Sequence, residues 1–237
     1  MMILANADLR TYLGDPDLKA SFLEEIGKHE QADMLRKGSY GNGIPDCGFK
    51  GCAIGCALHS LNKLQGKPPS ELANDTGNHE RYVTELGLPL WLAYMEDHIF
   101  ESLPDNLSKT WPRRLAEAIP VGACVHDLVL AKILRWTLAA ERFGARYATE
   151  DAAVVAVVDR IVALFDRTIR GDEPTSKEWD AARAAWDARA ARAARAAWDA
   201  WAAYTCDAFY PALSEYVLSL LRELSALPPP LARESGQ

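Results

Sequence analysis

Apolar residues recur along this chain at helical spacing, and almost nowhere do they alternate as a half-buried strand requires. In "DPDLKASFLEEIGKHEQADMLRKG", Leu18, Phe22 and Ile26 step by four along one face. Asp15 is the candidate cap, Pro16 suits the first turn, and Gly38 is the expected stop. "CAIGCALHSLNKL" has helical spacing and ends before "QGKPP", and "TGNHERYVTELG" reads as a short helix closed by Gly87. "LPLWLAYMEDHIFESLP" lies between Pro89 and Pro104 with a stripe of Leu88, Leu92, Met95, Ile99 and Leu103. "SKTWPRRLAEAIP" predicts another short helix with Pro112 near its start. Two longer ones follow in "DLVLAKILRWTLAAERFGARY" and "TEDAAVVAVVDRIVALFDRTIRG". Thr149 is the expected cap of the second and Gly171 its end. "AAVVAVV" has strand composition, but its flanking signals favour helix.

From residue 175 alanine dominates. "TSKEWDAARAAWDARAARAARAAWDAWAAYTCDAFY" opens with a capping box, Thr175 with Glu178, and predicts one helix over 175–207. Trp179, Trp186, Trp198 and Trp201 are large knobs among small alanines, so another helix can approach closely. That helix is either packed inside its own domain or the interface of a homodimer. Pro211 is expected to break or kink it, with "ALSEYVLSLLRELSAL" as a last amphipathic helix. The pattern therefore predicts one all-α domain over 1–227, a glycine-rich loop within it, and a disordered Pro-rich tail over 228–237.

Composition narrows the partners. The 237 residues are 49% hydrophobic and 25% charged, an ordinary globular balance. The net charge of −7 argues against nucleic acid as the main partner. No run of 18 apolar residues predicts a membrane span. The opening "MMILANADLRTYL" lacks a basic n-region and a long apolar core, so a cytoplasmic protein with reduced thiols is expected.

Candidate chemistry concentrates in "CGFKGCAIGCALH", residues 47–59. On a helix at about 100° per residue, Cys52, Cys56 and His59 share one face. One reading makes Cys52 a nucleophile: it follows Gly51 at a helix start, where free amides and the dipole favour a thiolate. Gly41, Gly43, Gly48 and Gly51 would let backbone approach a ligand. His59, His79 and His98 are the candidate bases, and Glu96, Asp97 or Glu101 would orient the base. A second reading has Cys47, Cys52, Cys56 and His59 bind zinc, although C-x4-C-x3-C-x2-H is not a common zinc spacing. A third makes the cysteines small buried packing residues, with Gly55 permitting close helix contact.

"GCAIGCALH", "LGLPLWLAYMEDHIFESLP" and "WPRRLAEAIPVGA" resemble segments of an uncharacterised family of bacterial and phage hypothetical proteins, over roughly residues 38–125. That family carries no known function, so the resemblance implies none. The expected function is that of a small-molecule enzyme, a transferase or hydrolase with a Cys/His site and carboxylate support. No cofactor is implied, apart from zinc in the metal reading. The alternative is a non-catalytic helical binding or assembly protein, with a thiolate-metal protein third.

Overall fold

The computed structural model describes residues 9–41 and 48–225, the side chains of 188–207 excepted. It is an all-α protein. The helices are α1 (Pro16–Gln31), α2 (Ala53–Leu64), α3 (Arg81–Leu86), α4 (Leu90–Ser102), α5 (Asp105–Ser108), α6 (Trp111–Ala118), α7 (Asp127–Ala139), α8 (Ala152–Ile169) and α9 (Ser176–Arg222). Among the described residues, extended pairing is limited to one isolated parallel bridge, Leu35 with Gly51. No described helix is long and apolar enough to cross a membrane. The chain forms two compact units. The first takes the residues up to Phe100, Lys109–Val125 and the chain from Leu221, and the second takes Glu101–Ser108 and His126–Leu220.

In the first unit, α1 packs on α2 and α6. Asp15 caps α1 as expected, accepting from the amides of Asp17 and Leu18, with Pro16 in the first turn. The helix ends earlier than Gly38. It stops at Gln31, because Ala32 leaves the helical path and Asp33 turns left-handed at φ 52°. Residues 34–36 then run beside Gly51, with Arg36 N–H donating to Gly51 O at 2.7 Å and Gly51 N–H to Met34 O at 3.0 Å. α2 is buried on every side from Ala53 to Asn62, which suits its small and apolar residues. The chain before α1 is tied to the loop after α6. Thr11 N–H donates to Ala123 O at 2.9 Å, and the Tyr12 hydroxyl donates to Ala116 O at 2.8 Å.

In the second unit, α7 and α8 pack as a pair, buried through Val129, Ile133, Val157, Val158 and Leu164. "AAVVAVV" is helical. The cap of α8 is Asp151, accepting from the amides of Ala153 and Val154. Thr149 lies two residues too early and instead accepts from the Asp151 amide at 3.2 Å. The capping box of α9 forms, with Thr175 N–H donating to Glu178 Oε2 at 2.8 Å and Glu178 N–H to Thr175 Oγ1 at 3.3 Å.

α9 does not break at Pro211 but runs through it to Arg222. A proline forfeits one ladder bond and crowds the preceding turn. Buried Phe209, Leu213, Val217 and Leu218 lie on both sides of it, so continuing the helix keeps both flanks in the core. Trp179 is half-buried and sits edge-on to Phe165 at 5.0 Å. The expected packing of Trp198 and Trp201, Gly43, Cys47 and the tail over 228–237 lie outside the described residues or side chains.

Candidate functional site

Cys52 is the N-cap of α2, as its place after Gly51 predicts, and its sulfur accepts from Gly55 N–H at 3.5 Å. That contact draws the thiol pKa down, but the balance goes the other way. Cys52 is 1% exposed, and burial pushes its thiol well above the ordinary range, with the neighbouring Asp97 carboxylate raising it further. The helix-terminus argument for a resting thiolate is thus outweighed. Burial also pushes the Cys56 thiol up, to about 12; its sulfur faces Gly51 O at 3.4 Å and Met34 O at 3.7 Å.

His59 does not face Cys52. Its Nδ1 lies 3.1 Å from His29 Nε2, and its ring stacks on Phe49 at 4.0 Å. Burial holds both histidines neutral, His29 down to about 3 and His59 down to about 4, and in His29 the second imidazole adds to the shift. Among the described residues, the Cys52–Cys56–His59 grouping does not close on a common point. His29 is missing from the sequence-level candidates, although it continues the Phe22–Ile26 stripe of α1 three residues on.

The base that does approach Cys52's surroundings is His79. Arg81 fixes its position by anchoring the start of α3 to α2, donating to Asn62 Oδ1 at 2.9 Å and pairing with Glu85 through two nitrogens at 2.6 and 2.9 Å. Far from being a surface turn, this segment buries His79 and Arg81 at 6% exposure each. His79 Nδ1 lies 3.0 Å from Gly77 O. A carbonyl only accepts, so Nδ1 carries a proton. Nε2 is buried without a hydrogen-bond partner and stands 3.6 Å from Asp97 Oδ2.

Asp97 collects the rest. Its Oδ2 accepts from the Tyr40 hydroxyl at 3.2 Å, and Cys52 Sγ lies within 4.8 Å of a carboxylate oxygen. Its Oδ1 is buried without a partner. Glu101 follows one turn on along α4, in the second unit. His98, on the same helix, is exposed. Tyr94 stacks on the His79 ring at 4.4 Å, and Tyr40 meets it edge-on at 5.6 Å. Both tyrosines are about half exposed, Tyr40 at 46% and Tyr94 at 56%, so they form the solvent-facing rim. Neither was singled out in the sequence: Tyr40 lies in the glycine-rich loop, and Tyr94 sits among the apolar residues of α4.

Glu96 sits elsewhere. It is 3% exposed, against Tyr82 and Tyr12, and lines a small cavity with Phe22, Ile26 and Leu88. Burial raises its pKa to about 8, with Asp97 adding and the Tyr82 hydroxyl hydrogen bond opposing. It is therefore a neutral carboxyl near pH 7, an internal group rather than an orienter of the base. The apolar stripe of α4 is wider than the sequence reading allowed and takes Glu96 in with Leu92, Ala93, Ile99 and Phe100.

One glycine holds the rim in place. A Cβ on Gly55 would stand 2.3 Å from Tyr40 O, inside backbone that cannot swing aside. Gly55→Ala is expected to cost about 1–3 kcal/mol as overpacking does and to displace Tyr40 from Asp97. Urea midpoints at constant slope measure it, and a loss below about 0.5 kcal/mol, the size of an ordinary surface change, would refute the close approach.

In comparisons with known proteins, the chain matches no family model, no curated protein and no solved structure.

Proposed function

We propose that the chain is a small-molecule enzyme, a hydrolase or group transferase, whose working centre is Cys52, His79 and Asp97. One observation carries the reading: His79 is held by Gly77 O so that its buried Nε2, without a hydrogen-bond partner, faces Asp97 Oδ2 at 3.6 Å. A buried basic nitrogen without a partner costs stability, and such costs are retained where the group is used. Nε2 takes a proton from a water or a substrate hydroxyl, and Asp97 stabilises the imidazolium so formed. Cys52, its thiol held protonated by burial, lies beside the Asp97 carboxylate. Tyr40 and Tyr94 border the solvent side, where substrate enters.

The test is turnover of a panel of chromogenic esters, phosphomonoesters and amides by the full chain. His79→Gln is expected to lower kcat/KM about 10²–10⁴-fold, the range of a positioned general base. Asp97→Asn is expected to lower it at least about tenfold, as loss of a base's orienting group does. Equal turnover by wild type and His79→Gln, or no turnover across the panel, would reject this centre.

A further inference from the structure

Three contacts fix the His79 ring. Its Nδ1 lies 3.0 Å from Gly77 O. Tyr94 lies nearly parallel to it, with ring centroids 4.4 Å apart and planes 16° apart. Tyr40 meets it edge-on at 5.6 Å and 87°. Tyr94 stands three residues before Asp97 on α4, a spacing that makes the two neighbours on the helix surface. One helix therefore supplies both the ring that lies against His79 and the carboxylate that faces its Nε2 at 3.6 Å. Exposure differs sharply across the stack: His79 is 6% exposed and Tyr94 56%. A tyrosine kept only for core packing would be buried. This one leaves more than half of its surface in solvent and turns one ring face to an imidazole.

We propose that Tyr94 is a positioning residue for His79: its ring keeps the imidazole turned so that Nε2 faces Asp97, and it stabilises the imidazolium formed when Nε2 takes a proton. This rests on the reading above that His79 is the base. An aromatic face carries the negative part of the ring quadrupole, and a cation within about 6 Å of the centroid is attracted to it. The neutral imidazole gains only the stack, whereas the imidazolium gains the charge attraction as well. The contact is thus stronger after proton transfer than before it. Such a contact raises kcat rather than lowering KM. In the step itself an O–H bond of water or substrate breaks and an N–H bond forms at Nε2. The positive charge so formed meets the Asp97 carboxylate and the Tyr94 ring. Arg81, two residues on, would oppose that charge, but it is paired with Glu85 and held by Asn62. The Tyr40 hydroxyl is turned to Asp97.

The competing account is that Tyr94 only shields His79 from water. The two accounts differ in sign. Loss of a shield relieves desolvation and moves proton uptake by the imidazole to higher pH. Loss of a ring that stabilises the cation moves it to lower pH. Histidine ring resonances of the full chain read this without any substrate, the His79 signals being those absent from His79→Gln. In Tyr94→Leu, proton uptake by His79 is expected to move down by about 0.3–1.5 pH units, the span from an exposed to a desolvated cation–π contact. Tyr94→Phe keeps the ring face and is expected to titrate as wild type. On a substrate that the chain turns over, Tyr94→Leu is expected to lower kcat about two- to thirtyfold, the same span, with KM little changed. Tyr94→Phe should restore the rate to within about twofold, because the ring face rather than the hydroxyl is what acts. Tyr94 is half exposed, and circular dichroism confirms that both variants fold.

Proton uptake that stays in place or moves up in Tyr94→Leu overturns the proposal. So does a phenylalanine variant as impaired as leucine, or a leucine variant whose loss lies wholly in KM. His79-dependent turnover with proton uptake unmoved in Tyr94→Leu sinks this role for Tyr94 and leaves the centre standing. Proton uptake that moves down in a chain that turns over none of the substrate panel rejects the centre and leaves the hold of Tyr94 on His79.

Discussion

Unfolding free energy is expected to peak near pH 6.5 and to fall on both sides, with separate buried groups setting the two limbs. On the acid side the groups are His29 and His59, with folded pKa values of about 3 and 4. Their unfolded values are about 6.5. A depressed folded pKa means that the unfolded chain binds protons the folded chain refuses. The stabilisation is complete above about pH 6.5 and is lost as pH falls toward about 4. Each histidine contributes a slope of about 1.4 kcal/mol per pH unit once the unfolded ring is protonated.

On the alkaline side the group is Glu96, raised to about 8 by burial. Its sign is opposite: the folded state keeps a proton that the unfolded state has released. That stabilisation is present below about pH 4.5 and is lost as pH rises through about 8, again at about 1.4 kcal/mol per unit. From about pH 4.5 to 6.5 the two histidines outweigh Glu96, leaving a net slope of about 1.4 kcal/mol per unit. From about 6.5 to 8 Glu96 acts alone and removes about 2 kcal/mol.

Urea unfolding at about pH 5, 6.5 and 8 reads both limbs. Glu96→Gln is expected to flatten the alkaline one, and the double replacement His29→Leu with His59→Leu the acid one. Removing one histidine alone would leave its partner's nitrogen buried and unpaired, so the double replacement is the cleaner test. Wild-type stability that is flat from about pH 5 to 6.5, or an acid limb unchanged in the double variant, would contradict the buried pair.

Several of the first unit's helix boundaries were legible because local chemistry decides them. Asp15 with Pro16, Gly87 at φ 62° and Pro112 near the start of α6 all act within a turn of their own position. Cys52 at the head of α2 was legible for the same reason. Its protonation was not, because the outcome depends on Asp97, 45 residues away, and on how deeply α2 is enclosed. The partner of His59 was hidden similarly. His29 looks like one polar residue near a helix end until α1 and α2 are packed together. Glu96 misled in the opposite direction. Its neighbours Asp97 and Glu101 suggest an acidic face, yet it falls on the buried side with Ile99 and Phe100. Pro211 shows tertiary burial overriding a local rule, since the apolar residues around it are worth more in the core than one ladder bond. His79 and Asp97 were both among the candidates. Their meeting depends on Arg81 gripping Asn62, a contact that no spacing in the sequence encodes.

Trp111→Ala should destabilise the protein by about 3–5 kcal/mol, the range for emptying a fully buried tryptophan site. Trp111 is 1% exposed in the first unit, and its indole N–H donates to Glu96 O at 3.0 Å. It therefore both fills core volume and pins the middle of α4 one residue from Asp97. Trp111→Phe separates these roles. Phenylalanine keeps most of the apolar volume and loses the donor. Inside a helix the Glu96 carbonyl is positioned to accept from the amide four residues on, so it is not orphaned. The phenylalanine variant should then lose only about 1–2 kcal/mol, a hydrogen bond and a little area. If the indole fixes Asp97 through α4, the same variant should also lower turnover, although it touches neither Cys52 nor His79. Urea unfolding of the two variants measures the first effect, and turnover by the better-folded one measures the second. An alanine variant losing less than about 2 kcal/mol, below the span seen for buried aromatics, would mean that the site can collapse around the gap. Phenylalanine as damaging as alanine would shift the weight from packing to the Glu96 hydrogen bond. Full turnover by a destabilised Trp111→Phe would show that Asp97 is held by Tyr40 without help from behind the helix.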